Sequence, residues 1–330
     1  MYSSIVVITR KTELDELSEK FNTKAQANFY LDQFDRSLGE AVPRTFRRYQ
    51  VAYDNYQRSF DQLISKLPRT IKHQVIDRSF LTNFKFSGDQ LIITLGPDGL
   101  VVNTAKYLTM EPILAFNPDP ERIDGVLLPF ASEIADWCIT SALTDSLPIK
   151  CVSMAKAQLN DGQALHGFND IFIGVKSHVS ARYRIEIGKK FENHSSSGII
   201  VSTGAGSTGW LQSVINGSFH VASGLRKKKS VLPENASYKL DWSDEKLYYA
   251  VREPFVSKSS QAGIVFGLLE ANEQIKITSY MAENGVIFSD GMENDFLCFN
   301  AGTNATISVS EKKARLFVSP TPHLRRSSNA

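Results

Sequence analysis

Little in this sequence is extreme, and its absences narrow the chemistry. Three cysteines, Cys138, Cys151 and Cys298, stand far apart in 330 residues. Their odd number and wide spacing exclude a CxxC metal or redox site and fit a reducing compartment. Six histidines occur with no HExxH or other paired ligand spacing, so no fixed protein metal site is expected. Neither sign of charge dominates: 37 Lys and Arg against 35 Asp and Glu leave a net +2. A general nucleic-acid coat needs a clear basic excess, so no nucleic-acid partner is expected. The longest basic run, Arg226-Lys227-Lys228-Lys229, reads as a solvated loop or an anion contact. No apolar run approaches a membrane span, and no exposed amphipathic membrane segment is evident. The opening "SSIVVITRKTELDEL" has neither a signal-peptide core nor an Arg- and Ser-rich presequence. A cytoplasmic protein with no membrane partner is the expectation. Familiar catalytic signatures are missing too. The Gly188-Lys189 pair is followed by Lys190, so there is no Walker A loop, and neither a kinase HRD/DFG set nor a GxSxG elbow occurs.

What is present divides the chain in two. In the first part, Ile5–Thr9, Leu91–Leu95 and Ile113–Asn117 read as short buried strands. Helical patterns alternate with them over about 12–38, 44–67, 100–107 and 131–142. Over 44–67 an apolar stripe repeats at spacings of three and four: Phe46, Tyr49, Tyr53, Tyr56, Phe60, Leu63 and Leu67. Strands alternating with helices predict a Rossmann-like α/β domain with a parallel sheet over 1–145. The second part is dense in short strand-like runs, among them "DIFIGVKS", "YRIEIGKK", "GIIVSTG", "SYKLDW", "AGIVFGLLE" and "ATISVSE". These predict a β-sandwich-like, β-rich domain over 146–315. The last residues, 316–330, read as a frayed tail.

Three stretches carry candidate chemistry. Gly96-Pro97-Asp98-Gly99 lies between a strand and a helix. In open parallel sheets ligands bind at the carboxyl ends of strands, and a helix start offers N–H groups to phosphate. Asp98 there can take a proton from an attacking hydroxyl, or serve as the polar corner of a type I turn. "STGAGSTGW", 202–210, formally contains GxGxxG. It sits amid β-rich sequence rather than in a βαβ unit, so it reads as a loop of close backbone approach or a flexible turn, not a dinucleotide fingerprint. Asn169-Asp170, at a strand entry, is a turn pair or a pair that hydrogen-bonds ribose hydroxyls.

In order, these stretches resemble the NAD kinase family, and specifically its mitochondrial-type branch. That family carries a G-G-D-G loop in an α/β domain, then an Asn-Glu or Asn-Asp pair, then a Gly/Ser/Thr-rich loop. "FNPDPERIDGVLLPF", "SSSGIIVSTGAGSTGW", "YAVREPF" and the helical 44–67 segment also look like that branch. The resemblance implies transfer of the ATP γ-phosphoryl group to the 2′-hydroxyl of the NAD adenosine ribose, giving NADP. It implies that Asp98 activates that hydroxyl and that Gly96 and Gly99 let backbone approach phosphate. By the same resemblance Asn169 and Asp170 hold NAD hydroxyls, and Thr208, Gly209 and Trp210 line the dinucleotide site. It further implies Mg²⁺ carried on ATP and a homodimer or larger homo-oligomer built from the β-rich domains.

The chain departs from the family loop at Pro97, which replaces the second glycine of G-G-D-G, and at Leu100, where a Thr often follows. Proline has no N–H and fixes φ near −65°. If that N–H holds a phosphate oxygen, one charge-assisted bond of roughly 1.5–3 kcal/mol is lost, on the order of ten- to a hundredfold in rate or affinity. Pro97 and Leu100 therefore keep open a catalytically impaired dinucleotide-binding or sensing protein on the same fold, and, because related lipid kinases share the G-G-D-G loop, a kinase of another hydroxyl substrate, lipid or sugar, is the other alternative.

Overall fold

The computed structural model describes residues 2–38, 45–226 and 238–320. Most of the basic run after Arg226 and the chain beyond 320 lie outside them. The chain forms two compact units, one comprising residues up to Lys150 together with the chain from Arg315 on, the other Cys151–Ala314.

The first unit is built on a parallel sheet. Its elements are β1 (Ser4–Thr9), α1 (Glu13–Lys20), α2 (Lys24–Leu38), α3 (Thr45–Ser65), β2 (Lys72–Asp77), β3 (Gln90–Leu95), α4 (Asp98–Ala105), β4 (Pro112–Asn117), the two-residue β5 (Phe130–Ala131) and α5 (Ala135–Leu143). The parallel order is β2-β1-β3-β4, with β5 against the end of β4. Every residue of β3 and β4 is buried, as expected of parallel strands covered on both faces. Arg315 and Leu316, placed at the end of the β-rich domain and in the tail by sequence, pair with Pro112 and Ile113 of β4. β2 was not foreseen: "KHQVID" is a polar edge strand, largely exposed.

The stripe on α3 is only partly core. Tyr56, Leu63 and Leu67 are buried with the sheet residues Val7, Ile93 and Phe116. Toward the helix start Phe46, Tyr49 and Tyr53 stay half-buried, and Lys24 Nζ lies 3.5 Å from the Tyr53 ring centre. Helix α1 is closed by a reciprocal cap: Asp15 N–H donates to Thr12 Oγ1 at 3.2 Å, and Thr12 N–H donates to Asp15 Oδ2 at 2.9 Å.

The second unit is two antiparallel sheets. Its strands are β6 (Ile149–Leu159), β7 (Ala164–Gly167), β8 (Asp170–Val175), β9 (Ala181–Ile187), β10 (Lys190–Ser196), β11 (Ile199–Ser202), β12 (Leu247–Val251), β13 (Phe266–Leu269), β14 (Gln274–Ser279), β15 (Gly285–Ser289), β16 (Met292–Cys298) and β17 (Asn304–Phe317). One sheet runs β10-β9-β14-β17, with β6 on β17 and β7 on β6; the other runs β13-β12-β11-β8-β15-β16. Tyr183, Ile185, Ile275, Ile277 and Ile307 from the first pack with Ile171, Ile173, Ile199, Val201 and Ile287 from the second in one core. A sandwich was expected. Among the described residues its one long helix was not: α6 (Trp210–Arg226) lays Trp210 and Val214 on Phe172, Ile200 and Val286, the outer face of the second sheet. The strand expected at "SYKLDW" is absent, and residues 238–242 have no regular structure.

Candidate active site

In the first unit the Gly-Pro-Asp-Gly stretch is a helix start. Pro97 is the N-cap of α4 with φ −72° and ψ 169°, and Asp98 is its first residue. That φ suits proline, so the loop accommodates it without a rebuilt backbone. Leu100 N–H closes the turn onto Pro97 O at 2.8 Å. The first N–H groups of a helix have no intrahelical acceptor, and the positive end of its dipole favours anions. Asp98 is half-exposed there, and Leu127 N–H donates to its Oδ1 at 2.7 Å. That bond fixes one carboxylate oxygen. A Cβ on Gly99 would meet nothing within 4 Å, whereas one on Gly96 would come 2.8 Å from Leu100 Cδ2. Gly99 therefore leaves open space over the helix start.

The strand order places this loop at a topological switch: the chain leaves β1 toward β2 on one side and β3 on the other. At that point lies a cleft of about 260 Å³, lined by Arg10, Lys11, Tyr56, Pro97, Asp119 and Arg122 among others. Tyr56 pins its floor. Arg10 N–H donates to the phenol oxygen at 3.3 Å, and the phenol donates to Leu95 O at 3.3 Å. Burial pushes the Tyr56 hydroxyl up to about 12, so it stays a donor. None of these basic residues was singled out from sequence.

The second unit brings its two candidate stretches together. Thr203 N–H donates to Asn169 O at 2.9 Å, and Thr203 Oγ1 donates to Phe168 O at 2.6 Å. Gly206 lies so close that a Cβ there would sit 2.0 Å from Asn169 O. Glycine is obligatory at that contact. Three consecutive N–H groups are gathered by one carboxylate. Asp290 Oδ1 accepts from Asn169 at 2.7 Å and from Asp170 at 3.2 Å, and Oδ2 accepts from Phe168 at 3.0 Å. Asp290 and Gly291 form the two-residue turn between β15 and β16 with φ 56° and 70°, a left-handed pair suited to Asp-Gly. Asp290 N–H in return donates to Asp170 O at 3.1 Å. Sequence reading missed Asp290; its only signal was the Asp-Gly turn.

Asp170 is 7% exposed. Burial, and then the Asp290 charge, push its carboxyl up to about 7. The half-buried Asn169 amide and the Asp170 carboxyl make no side-chain hydrogen bond among the described residues, so both remain available to a ligand. Thr208 and Gly209 are exposed at the turn into α6. Trp210 stacks on Phe172 at 5.6 Å between ring centres, with the Arg252 guanidinium 5.4 Å from the indole.

No family model matches the sequence. The chain is 25% identical over 225 residues to a probable NADH kinase of Oryza sativa subsp. japonica, covering 61% of this chain and 62% of that one. It thus spans less than two thirds of that relative's length. Over 98% of its length it matches the structure of yeast NADH kinase complexed with NADH, with a TM-score of 0.57, 15% identity and 85% of that chain covered. Over 97% it matches an NAD kinase from Archaeoglobus fulgidus in complex with ATP, with a TM-score of 0.54, 13% identity and 94% coverage. The fold is that of the NAD kinases. In this NAD kinase fold, the Gly-Pro-Asp-Gly helix start belongs to the α/β unit. The Asn169-Asp170 pair and the 202–210 loop belong to the β-rich unit.

Among the described residues no three His, Cys, Asp or Glu side chains gather to hold a metal ion. Mg²⁺ keeps several waters and binds one or two carboxylates plus substrate phosphates. Asp119, in the lining of the cleft, could supply one such carboxylate.

Proposed function

We propose that this chain is an NAD kinase-like phosphotransferase, moving the γ-phosphoryl group of ATP to the 2′-hydroxyl of the adenosine ribose of NAD or NADH. The observation that carries the reading is Asp98, held by Leu127 N–H on the first turn of α4 at the switch point of a sheet with this fold. In the proposed step Asp98 takes the 2′-hydroxyl proton and the ribose oxygen forms a bond to the γ-phosphorus. The bond from that phosphorus to the β,γ-bridging oxygen breaks, and ADP leaves with the electron pair. Mg²⁺ on the phosphates would neutralise charge, with Asp119 as its protein ligand. Asn169 and Asp170 would hold ribose hydroxyls, and Thr208 and Gly209 would line the dinucleotide. The sequence resemblance to the rice NADH kinase supports the same substrate class.

A second reading, a dinucleotide-binding protein without turnover, draws on the missing N–H at Pro97. Incubating the protein with ATP, Mg²⁺ and either NAD or NADH, and assaying NADP or NADPH, separates the two. Product formation lost in Asp98→Asn supports the kinase; dinucleotide binding without product supports the second reading. A homo-oligomer formed through the β-rich units and a cytoplasmic location complete the proposal.

A further inference from the structure

The cleft at the switch point gathers four basic side chains against two acidic ones. Its lining includes Arg10, Lys11, Arg48 and Arg122 against Glu13 and Asp119, in a chain of net charge +2. Three of the four cations have acidic partners: Lys11 Nζ lies 2.5 Å from Glu19, Arg10 Nη2 3.9 Å from Glu16 and Arg122 Nε 3.6 Å from Asp119. Arg48 is different. It is exposed, and no carboxylate pairs with it among the described residues. Arg122 is half-committed, with Nε 3.6 Å from Asp119 Oδ2 and Nη1 at 3.5 Å from Arg48 O.

Arg48 reaches the cleft because α3 is bolted over the strand ends. Arg48, Ala52 and Tyr56 lie four residues apart on one helical face, and all three line the cleft. Tyr56 ties that face to Leu95 O and Arg10 N–H, at the ends of β3 and β1. One turn further, Ser59 Oγ donates to Pro118 O at 2.8 Å, beyond β4. Pro97, which lines the same cleft, has no N–H to offer an anion.

We propose that this cleft takes the phosphoanhydride chain of the phosphoryl donor, and that Arg48 and Arg122 grip it in place of the N–H that Pro97 removes. The inference rests on the phosphotransferase reading and deepens it. A guanidinium presents its donors as a planar fork suited to phosphate oxygens, and charge-assisted bonds are about twice as strong as neutral ones. Two such contacts suffice to replace one backbone N–H. The ligand chemistry is shared by a nucleoside triphosphate and by inorganic tripolyphosphate.

The test is calorimetric binding of ATP, inorganic tripolyphosphate, AMP and NAD, each with Mg²⁺, to the full chain and to Arg48→Ala, Arg122→Ala, Arg122→Lys and Pro97→Gly. Thermal melts confirm that each variant is folded. Expected is a loss of ATP affinity of about ten- to a hundredfold for each arginine-to-alanine change, with NAD affinity unchanged and AMP affected little. Arg122→Lys is expected to retain part of the affinity. Pro97→Gly is expected to restore ATP binding more in the Arg48→Ala background than in wild type, a coupling that a merely structural arginine would not show. Tripolyphosphate binding as tight as ATP binding identifies a site for the phosphate chain alone, and tighter ATP binding identifies a nucleotide donor; both support the proposal. ATP affinity unchanged in Arg48→Ala and Arg122→Ala overturns it while leaving the kinase reading intact if NADP still forms. Failure of wild type to bind either ATP or tripolyphosphate overturns it outright. If NADP is also absent, the kinase reading falls with it.

Discussion

The Asp290 carboxylate accepts the Asn169 N–H at 2.7 Å, across 121 residues of sequence. A left-handed turn in one hairpin thereby sets the backbone of a pair whose side chains stay open to ligand. Replacing Asp290 with Ala strands three N–H groups. We expect a loss of about 2–4 kcal/mol in stability and a weakened dinucleotide affinity. Chemical denaturation and calorimetry with NAD measure both. Unchanged stability would remove Asp290 as the organiser of this pair.

Asp170 gives a pH-dependent prediction. Its carboxyl is raised from 3.8 to about 7, by burial first and by Asp290 second. The folded state therefore binds this proton more tightly than the unfolded state. The stability contribution is full below about pH 4 and is lost as pH rises toward and through 7. Asp170→Asn removes the charge, so it is expected to raise the thermal midpoint at pH 8 and to leave it unchanged near pH 3.5. A domain this size shifts by about 2–4 °C per kcal/mol relieved. NAD affinity falls in the same variant if Asp170 holds ribose hydroxyls. Melts across that pH range that run parallel for wild type and variant would contradict the assignment.

The contact between Gly206 and Asn169 O predicts a severe effect from one methyl group. A Cβ 2.0 Å from a carbonyl oxygen has no room, and neither atom belongs to a flexible side-chain end. Gly206→Ala is expected to cost more than about 3 kcal/mol or to displace the Asn169 backbone. By contrast Gly99→Ala, with nothing within 4 Å, is expected to fold normally and lose donor binding only if a ligand approaches that position. Soluble yield and melting temperature distinguish the pair.

Tyr56→Phe removes both the acceptor for Arg10 N–H and the donor to Leu95 O. A stability loss of about 1–2 kcal/mol is expected, together with reduced ATP affinity as α3 loosens over the strand ends. Hydrogen exchange of the Arg10 amide reports the first effect directly.

The sheet of the first unit was legible because its strands are continuous apolar runs, as in Ile5–Ile8 and Leu91–Leu95, which only a doubly covered parallel sheet demands. The edge strand Lys72–Asp77 was not, because exposure removes the apolar signal. Helix α6 was masked by its setting among strands and by Gly217 and Gly224, poor helix formers that its packing on Phe172 and Ile200 overrides. Asp98, Asn169 and Asp170 were visible because each sits at a strand or helix boundary with a recognisable turn residue beside it. Asp290 and Arg48 were not. Asp290 acts through a long-range backbone contact, and Arg48 lies off the apolar stripe of 44–67, so the periodicity does not mark it. Which strand ends each is folded against is set by the tertiary fold and not by its neighbours in sequence.

As the proposed base of an ATP-dependent phosphoryl transfer to NAD or NADH, Asp98 governs the rate at which product forms. The most direct measurement is the initial rate of NADP or NADPH formation by wild type and by Asp98→Asn, at saturating ATP, Mg²⁺ and dinucleotide. Wild type is expected to form product and the variant to be slower by about 10²–10⁴-fold, with dinucleotide affinity retained. No product from wild type, or an equal rate from the variant, would contradict that role.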